Sequence, residues 1–269
     1  MVFEQMFKVQ WIKRRPLFML VLGFSYAMIG IGSALMIFGK NPSLMSVAFI
    51  SILLLPTLNL LLQEEENEPI RNNKFSIIGI FKDHIDIFGI YLFLFIGIFL
   101  AYGLYSLLLP PAASNHIFFS QLDVAGLVGG AAGKNAQFTG ILLNNIIVLI
   151  ACFLLSLVYG AGSILFLTWN ASAWGAIFGY IARESSSSSN PWISFGSVII
   201  PVLPHMITEA ASYLSAAIVG GVVSKAVVRE RPFSAKFNHI LTDGVILLVF
   251  AFLLVLAAGY LEVYIFPLL

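Results

Sequence analysis

The sequence predicts an all-α bundle of about seven transmembrane helices. Three observations predict it: the composition, the lengths of the apolar runs, and the unequal sharing of Lys and Arg between the segments that join them. Hydrophobic residues make up 59% of the chain and charged residues 10%, with a mean hydropathy of +0.97. A soluble domain holds roughly 45–50% apolar and about 25% charged residues. A net charge of +1 without a basic tract in a soluble segment excludes a nucleic-acid-binding protein, which needs a clustered positive surface. Stretches outside the apolar runs reach only about 25 residues, too few for a separate folded enzyme domain. The expectation is therefore one membrane domain over 1–269. The single cysteine, Cys152, lies within an apolar run and reads as a packing residue.

A span of about 30 Å takes roughly 20 helical residues, and apolar runs of that size fall at 17–38, 43–62, 86–109 and 240–263. The N-terminal Lys13-Arg14-Arg15-Pro16 precedes a run too long for a signal peptide, so 17–38 reads as a retained span. Residues 2–15 before it have the helical spacing of an interfacial amphipathic helix. The tract 138–181 would measure about 66 Å as one helix. Gly160-Ala161-Gly162-Ser163 offers a turn near its centre, giving spans 138–159 and 163–181. In 193–224, Pro201 and Pro204 predict a break or a re-entrant piece, followed by a span over 204–224.

Charge supports this division, because cytoplasmic loops carry the excess of Lys and Arg. With the N-terminus inside, the inner segments hold Lys8, Lys13, Arg14, Arg15, Arg71, Lys74, Lys82, Lys225, Arg229, Arg231 and Lys236, and the outer ones hold Lys40, Lys134 and Arg183. That is 11 against 3; treating 138–181 as one span gives 8 against 6. The outer segment 110–137 is poor in charge and rich in glycine, and is expected either to cap the bundle or to dip into the outer leaflet.

Ionisable groups in hydrocarbon are costly and mark candidate sites. His205 and Glu209 are four residues apart, hence on one helix face about one turn from each other. Asn144 and Asn145 lie about 10 Å below the expected outer end of their span. The sequence thus permits a buried polar cluster of His205, Glu209, Asn144, Asn145, Asn170 and Tyr213 in the outer half of the bundle. Interhelical hydrogen bonding, a binding or proton-relay site and a metal site are its possible uses. Zinc needs three or four ligands, and the His-Glu-x-x-His signature is absent. No metal, cofactor or catalytic residue is therefore expected. Gly175-x-x-x-Gly179, together with Gly160 and Gly162, predicts close helix packing. Asp243 reads as the N-terminal cap of the last span.

The succession Asn144-Asn145, Gly160-x-Gly162, Asn170, Gly175-x-x-x-Gly179 and Pro204-His205-x-x-x-Glu209 resembles the stage II sporulation protein M (SpoIIM) family of prokaryotic membrane proteins. The resemblance covers roughly residues 138–225, and this chain has Met206 where the family usually has Gly. It implies an integral membrane protein; with the charge count above, the expectation is a multi-pass protein of the cell membrane with a cytoplasmic N-terminus. It further implies a non-catalytic scaffold or assembly factor that works with protein partners or as a homo-oligomer. In spore formers the family's namesake holds peptidoglycan-degrading partners at the engulfing membrane. The rival expectations are a small transporter or permease using the His-Glu pair and, more remotely, an intramembrane metalloprotease.

Overall fold

A computed structural model describes residues 15–66, 77–126, 134–185 and 190–265. The amphipathic segment expected at 2–15 falls almost wholly outside them. Among the described residues, helices account for nearly the whole chain: α1 (Phe18–Ile37), α2 (Pro42–Glu66), α3 (Ile77–Leu108), α4 (Pro111–Ile117), α5 (Phe119–Gly126), α6 (Lys134–Tyr159), α7 (Ile164–Glu184), α8 (Pro191–Arg229) and α9 (Ala235–Tyr260). A π-helical turn, Leu261–Ile265, continues α9. Seven of these helices, α1–α3 and α6–α9, are long and apolar enough to cross a membrane.

Local signals fix the helix ends. Pro42, Pro111 and Pro191 open α2, α4 and α8, where a missing N–H costs nothing. Asn190 caps α8 by accepting from Trp192 N at 3.0 Å, and Ser234 caps α9 by accepting from Phe237 N at 3.2 Å. Asp243 is therefore not the cap. It lies two turns inside α9, with its Oδ2 3.4 Å from His239 Nε2. The α6–α7 hairpin turns at Gly160, whose φ of +69° is open to glycine at no steric cost. Asn59 of α2 accepts from Ala161 N at 3.2 Å, tying that turn to the bundle.

The centre of the bundle is α8. From Ser212 to Val223 every residue is buried, because Ser, Ala and Gly let helices approach on all sides. It packs on α2, α3, α6, α7 and α9. Gly220 meets Phe153 and Ser156 of α6, and Gly221 meets Leu62 of α2. The second seam joins α3 and α7. Gly175 and Gly179 face the backbone of Phe99 and Gly103, and Ser106 Oγ donates to Ala176 O at 2.7 Å. The Gly-x-x-x-Gly spacing thus serves packing against α3.

The chain does not break at Pro201 and Pro204; α8 is one helix of 39 residues beginning at Pro191. Both prolines are exposed. Each removes one N–H. Ending the helix in hydrocarbon would strand several more backbone groups where water cannot satisfy them, so the uninterrupted helix costs less. Thr208 Oγ1 bonds Pro204 O at 2.7 Å across this stretch.

The described part of the outer segment, α4 and α5, wedges between α2, α3 and α7. Phe118 is fully buried against Tyr102, ring centroids 5.3 Å apart, nearly two turns before the end of α3. Ser106 and Ser114 are 3.1 Å apart, Ser43 and Ser120 2.7 Å apart, and Gln121 donates to Ser43 O at 3.2 Å. Arg183 at the end of α7 donates to Ser106 O at 3.3 Å and to Leu109 O, capping the last carbonyls of α3. The glycines at 129, 130 and 133 lie outside the described residues.

Candidate buried polar site

Glu209 is the focus of the polar groups. Its side chain is 7% exposed, on the face of α8 that meets α6 and the C-terminal turn. Tyr213, one turn further along α8 and fully buried, donates its hydroxyl to Glu209 Oε1 at 2.8 Å. The four-residue spacing that places His205 one turn before Glu209 also places Tyr213 one turn after it; all three are buried, and of the two neighbours Tyr213 is the one hydrogen-bonded to the carboxylate.

From α6, Asn145 is 4% exposed and lies beside the Glu209 carboxylate. Its Oδ1 accepts from Asn144 Nδ2 at 3.3 Å, while its own Nδ2 has no hydrogen-bond partner of ordinary geometry. His205 is 5% exposed, and its Nδ1 is likewise unpartnered. A buried polar atom left in this way costs free energy on the order of 1–3 kcal/mol. The neighbourhood of Glu209 is thus polar beyond what its one strong hydrogen bond uses.

The expected residues do not all converge. Asn144 is exposed on the outer surface of α6 and reaches the cluster only through Asn145. Asn170 is half-buried in α7, and its amide donates to Phe166 O at 2.8 Å within its own helix. Neither adds a direct partner to Glu209. Adjacent residues on a helix differ by about 100° around its axis, so Asn144 and Asn145 cannot both face inward.

A residue outside the cluster predicted from the sequence lies nearby instead. Glu262, in the π-helical turn after α9, is half-buried and close enough to Glu209 for the two carboxylates to interact electrostatically. The turn packs on α6 and α8 as well as on α9. A ring contact of 5.9 Å between Tyr264 and Phe138 helps hold it. The signal available in the sequence was a lone glutamate between Leu261 and Val263 at the end of an apolar run. Among the described residues, no three His, Cys, Asp or Glu side chains come together as a metal ligand set.

The arrangement joins three elements, α6, α8 and the C-terminal turn, through groups that are polar and largely removed from solvent. The sequence profile of the family described as Stage II sporulation protein M matches residues 87–267. No curated protein and no solved structure shows a significant similarity to the chain.

Proposed function

The chain belongs to the stage II sporulation protein M family, and from that premise we propose that it is a non-catalytic integral membrane scaffold or assembly factor. The observation that carries this reading is the burial of Glu209, bonded by Tyr213 and enclosed by α6 and the C-terminal turn. A carboxylate held in this way supports a role in fixing helix geometry, since a buried polar group tied to neighbouring helices specifies how they sit. The scaffold sits in the cell membrane with its N-terminus cytoplasmic, as the excess of Lys and Arg in alternate connecting segments argues. It works with protein partners or as a homo-oligomer, and uses no cofactor or catalytic residue.

The test replaces Glu209 with Gln and compares assembly with flux. The scaffold reading expects native electrophoresis and in-cell cross-linking to show altered complexes. Normal assembly accompanied by selective loss of a solute flux would overturn it.

One observation favours a second reading, a small transporter: Glu262 brings a second carboxylate toward Glu209, beside the unpartnered nitrogens of Asn145 and His205. Protonatable groups clustered at membrane depth serve as transport sites in many carriers. Uptake by proteoliposomes across a broad solute panel, with and without a proton gradient, separates the two. Uptake abolished by both Glu209→Gln and Glu262→Gln would favour the transporter.

A further inference from the structure

Phe233 has the only left-handed non-glycine backbone among the described residues, with φ of 62°, and its ring is 85% exposed. A bulky side chain avoids that conformation, and packing inside the bundle does not account for a ring left outside. The loop holds it there nonetheless. Ser234 N bonds Arg231 O at 3.0 Å, Ser234 caps α9, and Asn238 Nδ2 donates to Phe233 O at 3.3 Å. Strain retained at an exposed position points to a use.

The surroundings identify its chemistry. Lys225, Arg229, Arg231 and Lys236 stand against the single carboxylate of Glu230, an excess of three positive charges within twelve residues. Lys236 pairs with Glu230 at 2.8 Å, and Arg229 and Arg231 are both exposed. On either side the surface turns apolar: Val227 and Val228 are exposed on the last turn of α8, and Leu241 and Val245 on α9. The ring therefore lies where two hydrocarbon-spanning helices give way to cations. An apolar ring flanked by cations can insert at the boundary between headgroups and acyl chains, and guanidinium groups match phosphate oxygens in geometry as well as charge.

We propose that the α8–α9 loop binds the headgroup of an anionic phospholipid, with Arg229 and Arg231 on the phosphate and Phe233 inserted at the edge of the acyl region. A lipid fits better than an acidic protein surface, because the apolar flank of the loop continues along α9 from Leu241 and Val245 to Val249 and Leu253, all exposed.

The test uses the purified full chain in nanodiscs of phosphatidylcholine, alone or mixed with phosphatidylglycerol. The readouts are lipid retention by native mass spectrometry and the thermal unfolding midpoint. The wild type is expected to retain phosphatidylglycerol selectively and to unfold at higher temperature when it is present. Replacing both Arg229 and Arg231 with Gln should weaken that selectivity about 25-fold, about fivefold per charge. Phe233→Gly, which suits the backbone, should unfold no earlier than the wild type in phosphatidylcholine yet lose most of the protection by phosphatidylglycerol. Phe233→Asn, also tolerant of this conformation, should behave the same way. Equal retention of the two lipids by the wild type, as an acidic protein partner would leave it, overturns the proposal. So does undiminished selectivity in the variants, or a midpoint in phosphatidylcholine that falls for both Phe233 variants.

Discussion

Tyr213 donates its hydroxyl to Glu209 at 2.8 Å from one turn further along the same helix, so the carboxylate has a partner that does not depend on any other element. Asn145 comes beside it, and Glu262 within electrostatic range, only once α6 and the C-terminal turn have packed. Tyr213→Phe should leave the fold intact and lower its stability by about 1–3 kcal/mol, the cost of an unsatisfied acceptor at a buried position. Thermal unfolding in detergent measures this. Glu209→Gln keeps an acceptor for Tyr213 and should cost less than Glu209→Leu.

The α3–α7 seam depends on absent side chains. A Cβ at Gly179 would meet the backbone oxygen of Gly103, and one at Gly175 that of Phe99. Backbone on the far side cannot yield as a flexible side chain would. Gly179→Leu should destabilise by about 2–3 kcal/mol or more. Gly196 has open space around its Cα, and Gly196→Ala should be close to neutral. Comparison of the two midpoints is the check.

At the α6–α7 hairpin, Gly160→Ala forces a left-handed alanine and places its Cβ 2.6 Å from Asn59 Oδ1. The expected cost is about 1–2 kcal/mol for the backbone alone. Asn59→Ala removes the hydrogen bond to Ala161 N and should cost about 1 kcal/mol. It also removes the atom that the new methyl meets. The double variant should therefore lose less than the sum, and a double-mutant cycle reads the difference. Strict additivity would argue against contact between these residues.

The wedge made by α4 and α5 can be trapped covalently. The hydroxyls of Ser43 and Ser120 are 2.7 Å apart, so cysteines at these two positions would bring their thiols within reach of each other. In a background carrying Cys152→Ala, Ser43→Cys with Ser120→Cys should oxidise efficiently in membranes, seen as faster migration in non-reducing electrophoresis. A pair with no cross-link under strong oxidant would mean that α5 does not lie against α2.

Arg183→Ala should fray the end of α3 by removing the donor to Ser106 O and Leu109 O. Faster hydrogen exchange confined to the last turn of α3 is the expected signature. Arg183→Lys restores the charge without the planar fork and should rescue only part of the protection.

Much of the fold was legible in the chain. Apolar run length gave the number of spans, and charge asymmetry divided 138–181 at Gly160, where the turn lies. The prolines misled, because their usual reading as helix ends assumes water is at hand for the freed backbone groups. Of the site, the run from His205 through Glu209 to Tyr213 was readable from helical spacing alone. Asn144 was misjudged because Asn144 and Asn145 were taken together, although helix geometry turns neighbours to different faces. Glu262 was missed because nothing local distinguishes a glutamate that folds back onto a bundle from one that faces water.

By itself the sequence determined the class of protein, a multi-pass helical membrane chain, and the helical spacing that sets His205, Glu209 and Tyr213 along one face of α8. Hydrophobic length and helical periodicity are local properties, so neither needs knowledge of neighbours. Only the tertiary structure decided that α8 is the centre of the bundle, that Asn145 rather than Asn144 or Asn170 meets Glu209, and that Glu262 joins them. It likewise decided that α4 and α5 enter between α2, α3 and α7. These outcomes depend on how each helix is rotated about its axis and which backbones can approach. Small residues set that rotation through contacts remote in sequence, as Gly175 and Gly179 do against α3 and Gly220 against α6.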